Sequence, residues 1–201
     1  MRRTLVDQDL QPEEALKERV GDRLELSVGV ESTEKAVIEA LDGVSVLFTT
    51  SRLPISKRVL EAADELEGDS VGFVVSPQAT CEGLYLAKQF AEEGLETDRL
   101  YMGGKPDGME DDLLIEADKN PNRRGAEYVW GGLDTFDGFE ALVEDIESGE
   151  VNMLYMMNKH VPTEDGALRQ RFLDALEQLD FFALQSMHRG DLEHLDGELA
   201  D

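Results

Sequence analysis

Short apolar runs alternate with segments of helical spacing along most of the chain. Residues 70–75 form an apolar run rich in β-branched residues, which is typical of a parallel strand buried on both faces. Pro77 ends this run, and Thr80 stands where a helix N-cap is expected. Apolar residues then recur at helical spacing up to a stop signal at Gly94. Residues 68–94 therefore predict a complete strand, turn and helix.

The same unit recurs on both sides of this segment. We predict the other strands and helices from apolar runs, caps and glycine stops. The predicted strands are 4–6, 24–28, 44–49, 99–102, 151–157 and 181–184, and the predicted helices are 12–20, 32–41, 56–66, 136–146 and 168–179. Hairpin turn signals are nearly absent, so the strands are expected to be mainly parallel. The predicted fold class is α/β, a mainly parallel sheet with helices on both faces and flavodoxin-like or Rossmann-like units.

The chain divides into two predicted units. Residues 1–67 predict a flavodoxin-like βαβαβα unit, and residues 68–201 predict a second α/β unit. The polar stretch 67–70 is the expected boundary between them. Residues 103–108 and 118–125 carry the Gly, Pro and Asn chemistry of turns, and we expect no helix there. Asp134 and Thr135 are the cap candidates for the helix that follows.

The net charge of the chain excludes some classes of binding partner. Acidic residues number 45 and basic residues 19, which gives a formal net charge of −26. Such a surface repels nucleic acid and anionic membranes, so we expect neither as a partner. The acid is spread through every segment, and we interpret it as adaptation to a high-salt cytoplasm, where screening removes most of the self-repulsion. Specific binding of a basic partner or of calcium is the alternative, although no calcium-loop motif occurs.

The number of cysteines limits the disulfides and metal clusters that the chain can form. Cys81 is the only cysteine, which excludes an internal disulfide and any iron–sulfur or zinc cluster held by this chain's own thiolates. A reduced cytoplasmic setting follows. No apolar run approaches the ~20 residues of a membrane span, so we expect no direct membrane insertion. Cys81 begins a predicted helix, but without a nearby base in the sequence we interpret it as unreactive.

Two resemblances cover different parts of the chain. Residues 1–66, through LVDQDLQPEEALKE and STEKAVIEALDGVSVLFTTSRLPISKRVLEAADEL, resemble the opening of D-isomer-specific 2-hydroxyacid dehydrogenases. Residues 68–201 resemble molybdopterin oxidoreductases and, most of all, their relative among the subunits of NADH-quinone oxidoreductase. The second resemblance rests on four blocks in order, which are VVSPQATCEGLYLAKQFAEE, LLIEADKNPNRRGAE, IESGEVNMLYMMNKHVP and LDFFALQSMH.

The first resemblance implies a substrate domain of flavodoxin type. In that family NAD is bound by a glycine fingerprint, but no G-x-G-x-x-G occurs in this chain. Arg52 follows a predicted strand and is the candidate to face a substrate carboxylate, because ligands bind beyond the carboxyl ends of parallel strands. The alternative is a surface Arg52 paired with one of the many acids.

The second resemblance implies a molybdopterin cofactor and redox-complex subunits as partners. Where the family has a glycine-containing loop close to the cofactor, this chain has Asn158, Lys159 and His160, and the resemblance makes Asn158 a candidate ligand-binding residue. A bulky charged loop opposes a close backbone approach, so we expect no cofactor in the isolated chain. The family also continues beyond its last strand, whereas this chain stops at Asp201, so the unit is expected to be truncated.

A local excess of positive charge marks a candidate ligand site. Lys119, Arg123 and Arg124 lie within six residues of an otherwise acidic chain. Such a focus suits a phosphate, a pterin-nucleotide tail or an acidic neighbour, and a charge-paired turn is the alternative. His188, Asp191 and His194 have a spacing that a divalent metal could use, but a solvated polar tail accounts for them better, and we predict no metal site.

The sequence leaves three functions open. The first is a subunit related to the molybdopterin oxidoreductases or to their relative in NADH-quinone oxidoreductase, which acts in a larger assembly without its own redox centre. The second is a 2-hydroxyacid dehydrogenase-like protein that binds a small acidic substrate near Arg52. The third is a composite or truncated chain without activity.

Overall fold

Seven parallel strands form one sheet in the described part of a computed structural model of the chain. The structure describes residues 2–7, 24–30, 35, 46–49, 70–157 and 160–185. The strands are β1 (Arg2–Asp7), β2 (Leu24–Val30), β3 (Val46–Thr49), β4 (Val71–Val75), β5 (Leu100–Met102), β6 (Met153–Met157) and β7 (Phe181–Gln185). All pairings between them are parallel, and each strand overlaps a predicted one. The predicted α/β class is confirmed.

The sheet is doubly wound. Its order is β2-β1-β3-β7-β6-β4-β5, so the chain leaves β4 for β5 on one side and returns past β4 to β6 and β7 on the other. Strand β3 pairs with β7, with Phe48 opposite Leu184, and strands of both predicted units therefore share the sheet. The predicted boundary stays a prediction, because residues 50–69 lie outside the described residues. The same holds for the predicted helices 12–20, 32–41 and 56–66.

Strand β4 is buried on both faces, as its apolar run predicts. Val71, Phe73 and Val75 belong to one apolar core and Val74 belongs to a second. Strands β6 and β7 divide their side chains between the same two cores. Successive side chains of a strand point to opposite faces, which accounts for the division. Each core needs its own layer of helices to exclude water.

Helices α1 (Cys81–Gln89) and α2 (Arg123–Trp130) pack together and cover the first core. Three aromatic rings fill its centre. Phe73 stacks on Tyr155 with ring centroids 5.2 Å apart, and Phe90 meets both rings edge-on. The Tyr155 hydroxyl donates to Gln185 Oε1 at 2.8 Å. Burial raises the pKa of Tyr155, so its hydroxyl keeps the proton that this bond needs.

Helices α3 (Phe139–Ser148) and α4 (Gly166–Leu176) cover the second core on the opposite face. The rings of Phe139 and Phe172 meet there at 4.9 Å between centroids. Outside the core, Arg171 bridges the two helices by a bidentate contact to Glu147, with Nε to Oε1 at 2.8 Å. The hydrogen bonds from Arg171 lower the pKa of Glu147. The predicted helical layers on both faces are confirmed.

The N-cap of α1 is confirmed and its predicted stop is wrong. Thr80 Oγ1 accepts from the Gly83 amide at 3.2 Å. Beyond α1 the chain continues as a π-helical segment (Phe90–Leu95), and Glu96 rather than Gly94 takes the left-handed backbone. A Cβ at Gly94 would lie 2.8 Å from the Phe90 ring. This glycine is therefore needed for close packing and not for a helix cap.

Two later helices differ from their predicted bounds at the N-terminus. Helix α3 begins at Phe139, because Asp134 and Thr135 lie in a separate 3₁₀ turn (Leu133–Thr135). Helix α4 begins before residue 168, because Asp165 Oδ1 caps it by accepting from the amides of residues 167 and 168 at 2.8 and 3.4 Å. An Asp-Gly pair at 165–166 has the composition of a turn, which hid this cap.

Helix α2 was not predicted. Its first turn carries Arg123 and Arg124, which oppose the positive end of the helix dipole, and the Asn122 side chain makes no cap bond. Ala126 and Trp130 are buried in the first core, so α2 is stabilised by packing rather than by local signals. The prediction that 118–125 is wholly a turn is therefore wrong from Arg123 onward.

Candidate functional site

The carboxyl ends of β4, β5 and β6 form the candidate site. Connections leave β4 and β6 toward opposite sides of the sheet, so the gap between these strands is a topological switch point. In open α/β sheets, ligands bind outside the carboxyl ends of the strands at such a point. The segments that follow the three strands therefore decide what this edge can bind.

The segment after β4 turns directly into the N-terminus of α1. Ser76 is buried, and its Oγ accepts from the Gln78 amide at 3.3 Å. Thr80 caps the helix and Cys81 opens it. Hydrogen bonds from the backbone of Glu82 and from Thr80 lower the pKa of the Glu82 carboxyl. A carboxylate already occupies the first turn, which weakens the attraction of this helix end for an external anion.

Two glycines after β5 close the edge between β4 and β6. The Gly103 amide donates to the carbonyl of Val75 at 2.8 Å, and the Gly104 amide donates to the carbonyl of His160 at 3.0 Å. Gly104 has φ +106°, and a Cβ there would lie 2.5 Å from Pro77 Cγ. The glycines thus allow the chain to approach its own neighbouring segments, and both amides are already used.

Asn120 and Asn122 fix the segment after β5 to the segment after β4. Asn120 is buried, and its side chain bonds both the amide and the carbonyl of Lys105, at 2.7 and 2.8 Å. The Asn122 amide donates to the carbonyl of Pro77 at 3.0 Å, and Asn122 Nδ2 donates to the carbonyl of Ala79 at 2.8 Å. Both asparagines fall in a predicted turn, and their N-P-N pattern gives no sign of these long-range contacts.

Cys81 is exposed beside Asn122. Its Sγ lies 3.8 Å from Asn122 Oδ1 and 3.6 Å from Nδ2. An amide neither takes nor supplies a proton near neutral pH, so this neighbour does not activate the thiol. The interpretation of Cys81 as an unreactive cysteine stays a prediction.

Lys119 closes the loop that contains it. Its ammonium donates to the carbonyl of Met109 at 2.7 Å and also to the carbonyl of Glu116. Its aliphatic stem lies across Gly108, where a Cβ would meet Lys119 Cε at 2.7 Å. Two of the three donors of Lys119 are therefore used inside the protein. Its predicted role in ligand binding stays a prediction.

Arg123 and Arg124 have different surroundings. Arg123 Nε lies 3.1 Å from Asp118 Oδ2, and its NH2 group lies 3.4 Å from Asp107 Oδ1. This arrangement has the form of the charge-paired turn that was the alternative to a ligand site. Arg124 is exposed in the first turn of α2 and has no ion pair among the described residues. Of the two, Arg124 is the freer to contact a phosphate or an acidic neighbour.

The remaining candidates lie mostly outside the described residues. These are Arg52 and Asn158, together with Lys159, His188, Asp191 and His194. His160 is described, and its carbonyl binds Gly104 as noted above. Among the described residues, no group of three or more His, Cys, Asp or Glu side chains could hold a metal ion. No helix in the described ranges is long and apolar enough to cross a membrane.

No protein-family model, curated protein or solved structure matches this chain. Its function is therefore inferred from the resemblance in the sequence and from the geometry of the carboxyl edge.

Proposed function

We propose that the chain is a non-catalytic subunit of a redox assembly, related to the molybdopterin oxidoreductases or to their relative in NADH-quinone oxidoreductase, without a redox centre of its own. The observation that carries the proposal is the convergence of the four resembling blocks. The first block includes the end of β4, and the third and fourth contain β6 and β7, so that the three lie on neighbouring strands. The second contains Asn122, which bonds the first block at Pro77 and Ala79. Segments far apart in sequence thus form one continuous edge, as expected of one inherited unit.

The described residues do not fit a pterin at this edge. A bound cofactor of that size needs free backbone amides or convergent polar side chains at the switch point. Here the amides of Gly103 and Gly104 donate to the chain's own carbonyls, and Gly104 faces Pro77 and Asn120. With one cysteine the chain also supplies too few ligands for an iron–sulfur cluster. These contacts favour a role in binding partner subunits over a role in chemistry.

The experiment is affinity purification of the tagged chain from the cells that produce it, in about 2 M KCl to screen charge. We expect a partner whose absorption spectrum shows flavin or iron–sulfur centres in fixed ratio to the chain. The isolated chain is expected to oxidise no NADH and to retain no molybdenum. NADH oxidation or bound molybdenum in the isolated chain would refute the proposal, and so would a purified chain without any redox-active partner.

A matched pair of variants tests whether the carboxyl edge makes the contact. Asn122→Ala removes the side-chain bond to the Ala79 carbonyl and leaves the backbone bond to Pro77, which loosens the attachment of the second block to the first, so we expect less flavin or iron–sulfur per chain after purification. Glu147→Gln changes a charged residue on the opposite layer of the sheet and should leave the ratio unchanged. Equal yields from both variants would place the contact elsewhere.

A further inference from the structure

The loop between β5 and α2 exposes an unusual amount of apolar surface. This loop, residues 103–122, is called the arm, and residues 109–116 are its tip. Met109 and Leu113 are each 83% exposed, and Leu114 is 84% exposed. Ile115 beside them is 48% exposed. Isolated exposed apolar residues need no explanation, but four within eight residues form a patch of the kind that marks interaction sites.

The tip is held in shape by hydrogen bonds. Asp111 Oδ1 accepts from the amides of Leu113, Leu114 and Ile115 at 2.9, 2.7 and 2.9 Å. The Asp111 amide donates back to the carbonyl of Ile115 at 2.9 Å, and Lys119 bonds the carbonyls at both ends of the tip. A structureless loop of this length is uncommon in a compact domain unless it has a function. The leucines are therefore presented by an ordered turn, which reduces the entropy lost on binding.

The charges around the tip indicate which kind of partner can bind its apolar residues. Glu110, Asp112 and Glu116 are exposed around the leucines, and the tip contains no basic residue. A second copy of the chain would bring the same carboxylates together against a background of −26, and an anionic membrane would repel them. A protein surface with Lys or Arg around an apolar groove complements both features.

We propose that the tip docks into an apolar groove rimmed by Lys and Arg on a separate protein. Leu113 and Leu114 enter the groove, and Glu110, Asp112 and Glu116 meet the basic rim. The partner differs in chemistry from a nucleic acid or lipid surface, and the proposal is independent of any redox role of the chain. The tip is also a different site from the basic residues at the start of α2, which would attract acidic groups.

A labelled amphipathic peptide serves as the probe. Its helix carries a stripe of leucines with lysines along both edges of that stripe, which reproduces the apolar surface and the basic rim, and its binding to the full chain is measured by fluorescence anisotropy at moderate salt. The double variant Leu113→Ser, Leu114→Ser should raise the Kd by about tenfold or more, since two apolar side chains lose their burial. Both residues contribute only backbone amides to the tip, so the variant retains the fold.

The matched control removes apolar surface elsewhere. Tyr85 and Leu86 are 56% and 64% exposed on α1, and the variant Tyr85→Ser, Leu86→Ser should bind the peptide as the wild type does. A second probe with glutamate in place of lysine should not bind. The triple variant Glu110→Gln, Asp112→Asn, Glu116→Gln should weaken binding of the lysine peptide and flatten its salt dependence.

Each other outcome overturns the proposal. Equal weakening by the tip variant and the α1 variant would mean that the peptide senses net charge or general apolar surface. Dimers of the wild type that the tip variant abolishes, detected by sedimentation, would assign the tip to a second copy. Flotation of the wild type with neutral lipid vesicles, lost in the tip variant, would assign it to a membrane. Absence of any peptide binding by the wild type would also refute it.

Discussion

Gly104 shows how a single residue shapes the carboxyl edge. Its backbone is left-handed with φ +106°, and a Cβ there would lie 2.5 Å from Pro77 Cγ and 2.6 Å from Asn120 Oδ1. Only glycine combines this conformation with so close an approach. The Asn120 side chain in turn hydrogen-bonds the backbone amide and carbonyl of Lys105. The close packing of Gly104 therefore depends on the hydrogen bonds that hold Asn120 in place.

Substitution of Gly104 is expected to be far more costly than substitution of a similar glycine elsewhere. Gly104→Ala adds left-handed strain and overlap, and should lower the free energy of unfolding by about 2–5 kcal/mol. Gly149 has φ +79° and no atom within 4 Å of where a Cβ would lie, so Gly149→Ala should cost only about 1–2 kcal/mol. Urea unfolding of both variants measures the difference. Equal losses would show that Gly104 is not tightly enclosed.

The arm is an element without regular secondary structure, yet it has an order of its own. At its base, Asn120 bonds Lys105. In its middle, the Gly108 amide donates to the carbonyl of Ala117 at 2.8 Å. At its tip, the Asp111 carboxylate accepts hydrogen bonds from three successive backbone amides. Side-chain groups thus supplement the backbone hydrogen bonds between the two halves of the arm, which join Gly108 to Ala117 and Asp111 to Ile115.

Loss of the Asp111 carboxylate should open the tip alone. In Asp111→Ala the amides of residues 113–115 lose their shared acceptor, and we expect their hydrogen exchange to quicken by about tenfold or more. Asp112→Ala removes the same charge from the neighbouring position and should leave exchange unchanged. Exchange measured by NMR or mass spectrometry distinguishes the two. Equal exchange in both variants would contradict the role of Asp111.

The same carboxylate sets the pH range over which the tip is stable. Hydrogen bonds from the amides of Ile115, Leu114 and Leu113 lower the pKa of Asp111 below its ordinary value. A lowered folded-state pKa means that the stabilisation is present above the ordinary pKa, about 3.9, and is lost as the pH falls through the folded pKa. The amide shifts of residues 113–115 should therefore stay constant from about pH 7 to pH 5. A midpoint within that range would contradict the assignment.

At the scale of the whole molecule, charge opposes the compact state. A formal charge of −26 repels across the Debye length. Because acidic residues number 45 and basic residues 19, ion pairs such as those of Arg123 and Arg171 offset only part of this repulsion. The apolar cores on both faces of the sheet must outweigh this repulsion.

Stability is therefore expected to depend on salt. The thermal midpoint should rise from about 0.1 M to about 3 M KCl, because a shorter Debye length screens the acidic surface. Differential scanning calorimetry or circular dichroism measures the series. A flat or falling series would contradict adaptation to high salt, and a parallel series in sucrose at low ionic strength separates charge screening from general exclusion effects.

The strands were predictable because local pattern and burial agree. Residues 71–75 and 153–157 are apolar on both faces, and a strand buried on both faces needs that composition and nothing from its neighbours in sequence. Helix α2 was not predictable, since its start carries Arg123 and its stability comes from Trp130 in the core. The contacts of Lys119 were also missed. Its carbonyl partners are specified by the fold of the arm and not by a sequence motif.

The position of β7 in the sheet has a consequence for how the protein is made. Strand β7 lies C-terminal to the other described strands, yet it sits between β3 and β6 and joins the two sides of the sheet. During synthesis, β3 leaves the ribosome long before β7 has been made, and the edge of β3 that pairs with β7 stays unpaired until then. Such an edge is a template for wrong pairing. Chaperone dependence at the ribosome should therefore centre on the interval before residue 185 emerges.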